Sequence, residues 1–204
     1  MKDSIEKSTE PKVFIIESLT FDNEEKNLFE GRILSEILML NKIESQYFYI
    51  RTKKEFKKVI EFFDESNYRY LHISCHGGEN SLWTTLDKIS YNELGTILKN
   101  SLIKKRLFLS ACSSVNEEIA KAIIPKTQCY SIIGPNKEIA FSDATIMWAS
   151  FYHLMFNTNS ENMNREGILK NLQKVVDTFE ESLNYYSISK SLGIKNTIFK
   201  SKEL

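Results

Sequence analysis

The chain is short of several things, and each shortage excludes something. Its 204 residues carry 27 Lys and Arg against 27 Asp and Glu, so neither sign of charge is in surplus. Nucleic-acid-binding domains usually carry an excess of basic residues, so nucleic acid is not expected as the main partner. The basic run RTKKEFKK (51–58) reads as the solvated face of an amphipathic helix instead. No apolar run approaches the roughly 18 residues of a membrane span. The opening MKDSIEKSTEPK lacks an apolar stretch, which predicts no secretory signal and a cytoplasmic location. Cysteine is scarce and odd in number, three in all, which predicts free thiols rather than a disulfide framework. Glycine is scarce too, seven in all, and IIGPNKEI lacks the Gly-Lys-Ser/Thr ending of a phosphate-cradling loop. Neither a repeat nor a low-complexity linker divides the chain, so we expect a polar tail over 1–12 and a single domain over 13–204.

What is present is enough apolar material for a core, 42% of residues with 12% aromatic. Short β-branched or aromatic runs predict strands at 13–19, 45–51, 68–74, 105–112 and 128–134, with a small hairpin from SLWTT and KIS. Between them lie helical patterns. One covers 23–41 with Asn23 as its cap, and another covers 53–66 with Thr52 as cap and Phe56, Val59, Ile60 and Phe63 on one face. A third follows Ser90, with Glu93 completing a capping box. A short helix over 116–124 is expected to stop at Pro125. An apolar helix is capped by Ser142, and an amphipathic one faces Ile168, Leu172, Val175 and Phe179 inward. The last twenty residues look polar, with SISKSLGIKNTIF docking as a small element. Strands alternating with helices predict a mainly parallel sheet with helices on both faces, an α/β three-layer sandwich.

Catalytic groups in such sheets gather at the carboxyl ends of the strands. RYLHISCHGG (69–78) runs a buried strand into His76, Gly77 and Gly78, and RLFLSACSS runs another into Cys112 about 36 residues later. A cysteine with a histidine is a nucleophile and base. The thiolate attacks, the imidazole takes or holds its proton, and a helix N-terminus just beyond Cys112 would favour the thiolate. Gly77 permits close backbone approach, so its N–H and that of Cys112 are candidates for an oxyanion hole. Cys75 must face the other side of the strand from His76, and we assign it and Cys129 to the core. His72 shares a face with His76 but lies about 13 Å back, which suits a structural, hydrogen-bonded histidine, bracing Ser74 or the base being the lesser alternative. His153 lies in an apolar helix and reads as packed core. A zinc site from His72, Cys75, His76 and Cys112 is disfavoured, because Cys75 points away and no Cys-x-x-Cys pair exists.

The pair YLHISCHG and LFLSACSS resembles the two signature strands of caspase-like cysteine peptidases, within the clan of caspases, separases and gingipains. SYNELGTIL and SIIG…DATIMWASFYHLMF are similar to the helix between those strands and to the later strand and helix of the bacterial CHAT branch. The resemblance runs over roughly residues 13–157. It implies a caspase-like fold and peptide-bond cleavage, with Cys112 as nucleophile, His76 as base and Gly77 as oxyanion donor. No cofactor and no metal are implied. The partners implied are a protein substrate and a regulatory protein, in a bacterial defence or cell-death system; nothing decides the oligomeric state. Two departures stand out. Ser113, Ser114 and Val115 occupy a stretch where the family often has glycine, and GPNKEIAFSDA replaces a Trp-containing segment that helps line the substrate pocket. Asp143 is then the candidate acidic pocket wall, favouring Arg or Lys before the scissile bond, with Glu138 competing for the role. The departures also motivate an alternative, an inactive caspase-like binding module or scaffold.

Overall fold

The computed structural model describes residues 9–158, 164–189 and 193–201. Five parallel strands form the centre of the sheet: β1 (Glu10–Glu17), β2 (Ser45–Tyr49), β3 (Tyr68–Ser74), β7 (Arg106–Ser110) and β8 (Ser131–Pro135). A separate three-stranded sheet is made of β4 (His76–Gly77), β5 (Ser81–Trp83) and β6 (Lys88–Ser90). Two antiparallel strands, β9 (Ser182–Ser189) and β10 (Gly193–Lys200), complete the main sheet, whose order is β10-β9-β8-β7-β3-β1-β2. This is the mainly parallel α/β architecture that the alternation predicts.

Helices cover both faces because the central strands are apolar on both. On one face, α3 (Lys53–Glu65), α4 (Tyr91–Ile97) and α5 (Glu117–Thr127) bury Phe56, Phe63, Leu94 and Ile123 against Phe14, Ile16, Leu71 and Leu109. On the other, α2 (Glu30–Leu40), α6 (Phe141–Thr158) and α7 (Arg165–Phe179) pack Leu34, Trp148, Tyr152 and Leu172 on Ile15, Tyr70, Phe108 and Ile133. Phe108 is at the centre of that second layer, its ring meeting Tyr70, Trp148, Phe151 and Tyr152 at 5.5–6.1 Å.

Several boundaries differ from the sequence reading, each for a physical reason. The expected 23–41 helix is two: α1 (Phe21–Glu25), capped by Thr20, and α2, so Asn23 lies inside a helix and does not cap one. Pro125 does not stop α5, which continues to Thr127. A proline in the last turn forfeits one hydrogen bond, and the chain leaves the helix only at Gln128, whose φ of 54° is left-handed. Ser142 lies inside α6, one residue past its start. At Ser90 half of the expected box forms: its side chain accepts the Glu93 N–H, while Glu93 itself pairs with Lys53. The largest miss is β9 and β10, two full strands where a small docked element was expected. Their buried polar residues hid them; Asn184 is satisfied by donating to the Val115 carbonyl at 2.7 Å and accepting from Asn136 at 3.1 Å. β1 begins at Glu10, inside the stretch read as tail.

Candidate functional site

The chain moves from β1 out to β2, then back past β1 to β3 and on to β7, so its direction of travel reverses between β1 and β3. Ligands bind beyond the strand ends at such a reversal, because the connecting loops part there. Three segments leave the sheet at this crevice: α1 after β1, the Cys75–Gly78 segment after β3, and the Ala111–Asn116 turn after β7. β3 and β7 pair residue for residue, Tyr70 with Arg106 through Ser74 with Ser110, and the Cys75 N–H extends the pairing to the Ser110 carbonyl at 3.1 Å. His76 and Cys112 each follow two residues after the last pair of this ladder, Ser74 with Ser110.

The two segments touch. A Cβ added to Gly77 would lie 2.8 Å from the Cys112 carbonyl oxygen, 2.8 Å from the Ala111 Cβ and 3.0 Å from the Ser114 Cβ. Tyr91 helps hold them together, since its hydroxyl lies between the carbonyls of Gly78 and Ser114, at 3.0 Å from the latter. His76 belongs to the small sheet rather than to the end of β3, paired with Trp83. The ladder between β4 and β5 includes Gly78 N–H to the Ser81 carbonyl at 3.2 Å, and alternation then turns the Gly77 N–H away from β5. The Cys112 N–H makes no backbone hydrogen bond among the described residues.

His76 is half-buried, and burial pushes its imidazole below the ordinary 6.5. Its ring stands edge-on to Phe141 at 5.8 Å, and its Nε2 is 2.6 Å from the Asn23 amide nitrogen. That contact ties up Nε2 and leaves Nδ1 as the ring's free nitrogen. Asn23 was legible only as a helix cap; its partner lies 53 residues away, beyond the reach of any local pattern.

Cys112 is the most accessible of the three thiols. Cys75 and Cys129 are free but buried, and burial pushes them up to about 12 and about 11, which makes both poor nucleophiles. Cys75 faces the α3–α5 core as expected. The Cys112 Sγ is 3.6 Å from the Ile139 carbonyl oxygen. Ser113 follows with φ of 53°, the left-handed conformation glycine tolerates best. The serine therefore makes the bend without glycine, held by its N–H to the Lys137 carbonyl at 3.0 Å. The N-terminus of α5 has its own partners, because Asn116 accepts the N–H groups of Glu118 and Ile119.

Glu138 is exposed on the loop that supplies the Lys137 and Ile139 carbonyls, and Asp143 is exposed in the first turn of α6. Glu138 thus lies between two residues that touch the Cys112 turn, and Asp143 follows two residues after Phe141, whose ring meets His76. His72 is buried as a structural histidine, its Nδ1 at 3.2 Å from the Tyr152 hydroxyl. His153 is exposed and bonds Asn157, so the packed-core expectation fails: it sits on the outer side of α6. Among the described residues no group of three His, Cys, Asp or Glu side chains is placed to hold a metal ion, and no helix is long and apolar enough to cross a membrane. A surface cleft of about 430 Å³ lies beside Tyr91, between Asn80, Lys88, Asn92 and Lys121, and neither Cys112 nor His76 lines it.

A buried glutamate closes the back of the crevice. Glu17 ends β1 and caps α2, accepting from the Gly31 N–H at 2.7 Å, the Arg32 N–H at 3.3 Å and the Tyr47 hydroxyl at 2.7 Å. Burial outweighs these bonds and pushes its carboxyl from 4.5 up to about 7. Between those values the folded chain keeps a proton that the unfolded chain releases, so this group's contribution to stability falls as pH rises through the window. His76, shifted down, contributes the opposite slope below 6.5, so the comparison must be with Glu17→Gln. In urea unfolding, the stability difference should move in favour of Glu17→Gln by about 2–3 kcal/mol between pH 4.5 and 8. Parallel stability curves for the two proteins would refute this assignment.

No protein family's sequence profile matches the chain, and no curated protein sequence does either. Solved structures do. A secreted C11 cysteine protease from Bacteroides thetaiotaomicron, iotapain, superposes with a TM-score of 0.58 at 11% identity, over 88% of this chain and 66% of its own. Caspase-1 from Spodoptera frugiperda superposes with a TM-score of 0.55 at 14% identity, over 94% of this chain and 88% of its own. The chain therefore spans slightly less than two-thirds of the first of these proteins. The fold is that of the caspase-like cysteine proteases.

Proposed function

We propose that this caspase-like chain is a cysteine endopeptidase in which Cys112 and His76 form the catalytic dyad. The observation that carries the reading is the contact between the two segments that bear them: a single methyl on Gly77 would strike the Cys112 carbonyl oxygen. The resting imidazole is neutral, as its burial favours. With the Asn23 amide turned so that its oxygen accepts the Nε2–H, Nδ1 carries the lone pair and takes the Cys112 proton as sulfur attacks the scissile carbonyl. The N–H groups of Gly77 and Cys112 stabilise the oxyanion. His76 then protonates the leaving amine, which departs and leaves a thioester. Water, deprotonated by His76, attacks the thioester and regenerates the thiol.

Glu138 and Asp143 place negative charge at the crevice, which supports a preference for Lys or Arg before the scissile bond. The CHAT-type assignment, the regulatory partner and a role as effector in bacterial defence or cell death rest on the motif resemblance. The free buried thiols fit a reducing compartment such as the cytoplasm.

Peptidyl alkylators ending in Arg, Lys, Asp or Leu test the reading. They should modify Cys112 in the wild type, leave Cys112→Ala unlabelled, and react roughly 10²-fold more slowly with His76→Ala. Absence of labelling in every condition, including lysate that supplies partner proteins, would favour the alternative of a binding module.

A further inference from the structure

Below the crevice lies a carboxylate with no part in the steps above. Glu30, the first residue of α2, is 2% exposed. One of its oxygens, Oε2, accepts hydrogen bonds from both Ser74 Oγ at 3.0 Å and Ser110 Oγ at 2.8 Å. Those serines are themselves buried and sit directly opposite each other on β3 and β7. Ser74 is two residues before His76, and Ser110 is two before Cys112. Ser74 and Ser110 are the last residues of β3 and β7, so their spacing sets where the two segments that carry His76 and Cys112 leave the sheet.

A buried carboxylate is an expensive way to fill space between a helix and two strands, because removing its charge from water costs more than burying an apolar side chain there. Two alanines under a leucine would pack the same layer without that cost. A carboxylate offers something an apolar layer does not: one oxygen that both strands must approach at a fixed distance. Its surroundings supply the remaining polar partners. Oε1 is 3.5 Å from His72 Nε2, and both atoms otherwise lack a hydrogen-bond partner. Glu17 on β1, Cys75 just after β3 and Tyr152 on α6 are the titratable groups that feel its field.

We propose that Glu30 is a positioning residue that sets the spacing of His76 and Cys112 by holding Ser74 and Ser110 on one carboxylate oxygen. The inference rests on the dyad reading above and assigns to it a part that neither the motifs nor the fold names. The requirement is geometric, an oxygen that accepts two hydroxyls, rather than a charge. Glutamine meets it: its carboxamide oxygen accepts both hydroxyls while its NH₂ donates to His72 Nε2. Alanine does not.

The test is the pH dependence of Cys112 alkylation by iodoacetamide on the full chain, followed by peptide mass spectrometry so that buried Cys75 and Cys129 do not interfere. Dyad spacing governs reactivity at pH 6, where an isolated thiol is protonated, and hardly affects pH 10, where it is not. The ratio of the two rates should fall about tenfold in Glu30→Ala and in Ser74→Ala/Ser110→Ala, and stay within about threefold of wild type in Glu30→Gln. Thermal melts identify any variant that does not fold, and the serine pair stands in for Glu30→Ala if that one fails. An unchanged ratio in the serine pair overturns the proposal, as does Glu30→Gln falling together with Glu30→Ala. If His76→Ala leaves the wild-type profile unchanged, the dyad itself is refuted and the positioning role goes with it.

Discussion

Substituting alanine at Cys112 should abolish peptide-bond cleavage, and His76→Ala should lower kcat/KM by roughly 10²–10⁴-fold, the range in which a positioned general base contributes. The two losses should not add, because both groups act on one proton, so the double variant should match Cys112→Ala. Burial holds the His76 imidazole below 6.5, so the acid limb of the wild-type profile should lie below that value. Asn23→Ala should act through the orientation of the ring alone, lowering kcat with little change in KM and by less than His76→Ala. Steady-state hydrolysis of a fluorogenic peptide ending in Arg or Lys measures each of these. Equal activity in wild type and Cys112→Ala would remove the chain from the cysteine peptidases whatever its fold.

Gly77→Ala is expected to have the largest effect of any single added methyl at the site. Its Cβ would lie 2.8 Å from both the Ala111 Cβ and the Cys112 carbonyl, atoms of the neighbouring turn rather than the ends of flexible side chains. The turn must give way, and that turn carries the nucleophile. Overpacking of this kind costs about 1–3 kcal/mol of stability. A displacement near 1 Å at the reacting atoms costs about 10²-fold in rate. Activity should therefore fall much further than the melting temperature alone would suggest. Gly193→Ala is the control: Gly193 has φ of 70° but, among the described residues, no heavy atom outside its chain neighbours lies within 4 Å of the added Cβ, so it should lose about 1 kcal/mol and keep full activity. Circular-dichroism melts and peptide hydrolysis on the two variants decide the matter, and an active Gly77→Ala would show that the two segments do not need this contact.

The sequence by itself determined the layered fold and singled out the candidate dyad. Hydrophobic runs such as VFIIE and RLFLS are short-range patterns, and short-range patterns place strands and amphipathic helices because burial is dictated residue by residue. His76 and Cys112 were legible for the same reason: each breaks an apolar run at its carboxyl end. What local pattern could not carry was anything made by distant partners. Strands β9 and β10 were missed because Asn184 and the serines beside it look like loop until Val115 and Asn136 satisfy them. Asn23 was read as a cap, since nothing near it in the chain reveals a histidine waiting at 2.6 Å. Nothing in the local pattern singles out Glu30 or Glu17, and only the packing of α2 over three strand ends buries them. The tertiary structure alone decided which polar residues are inside, because a buried polar group is tolerated only where another segment completes its hydrogen bonds, and that segment can come from anywhere in the chain.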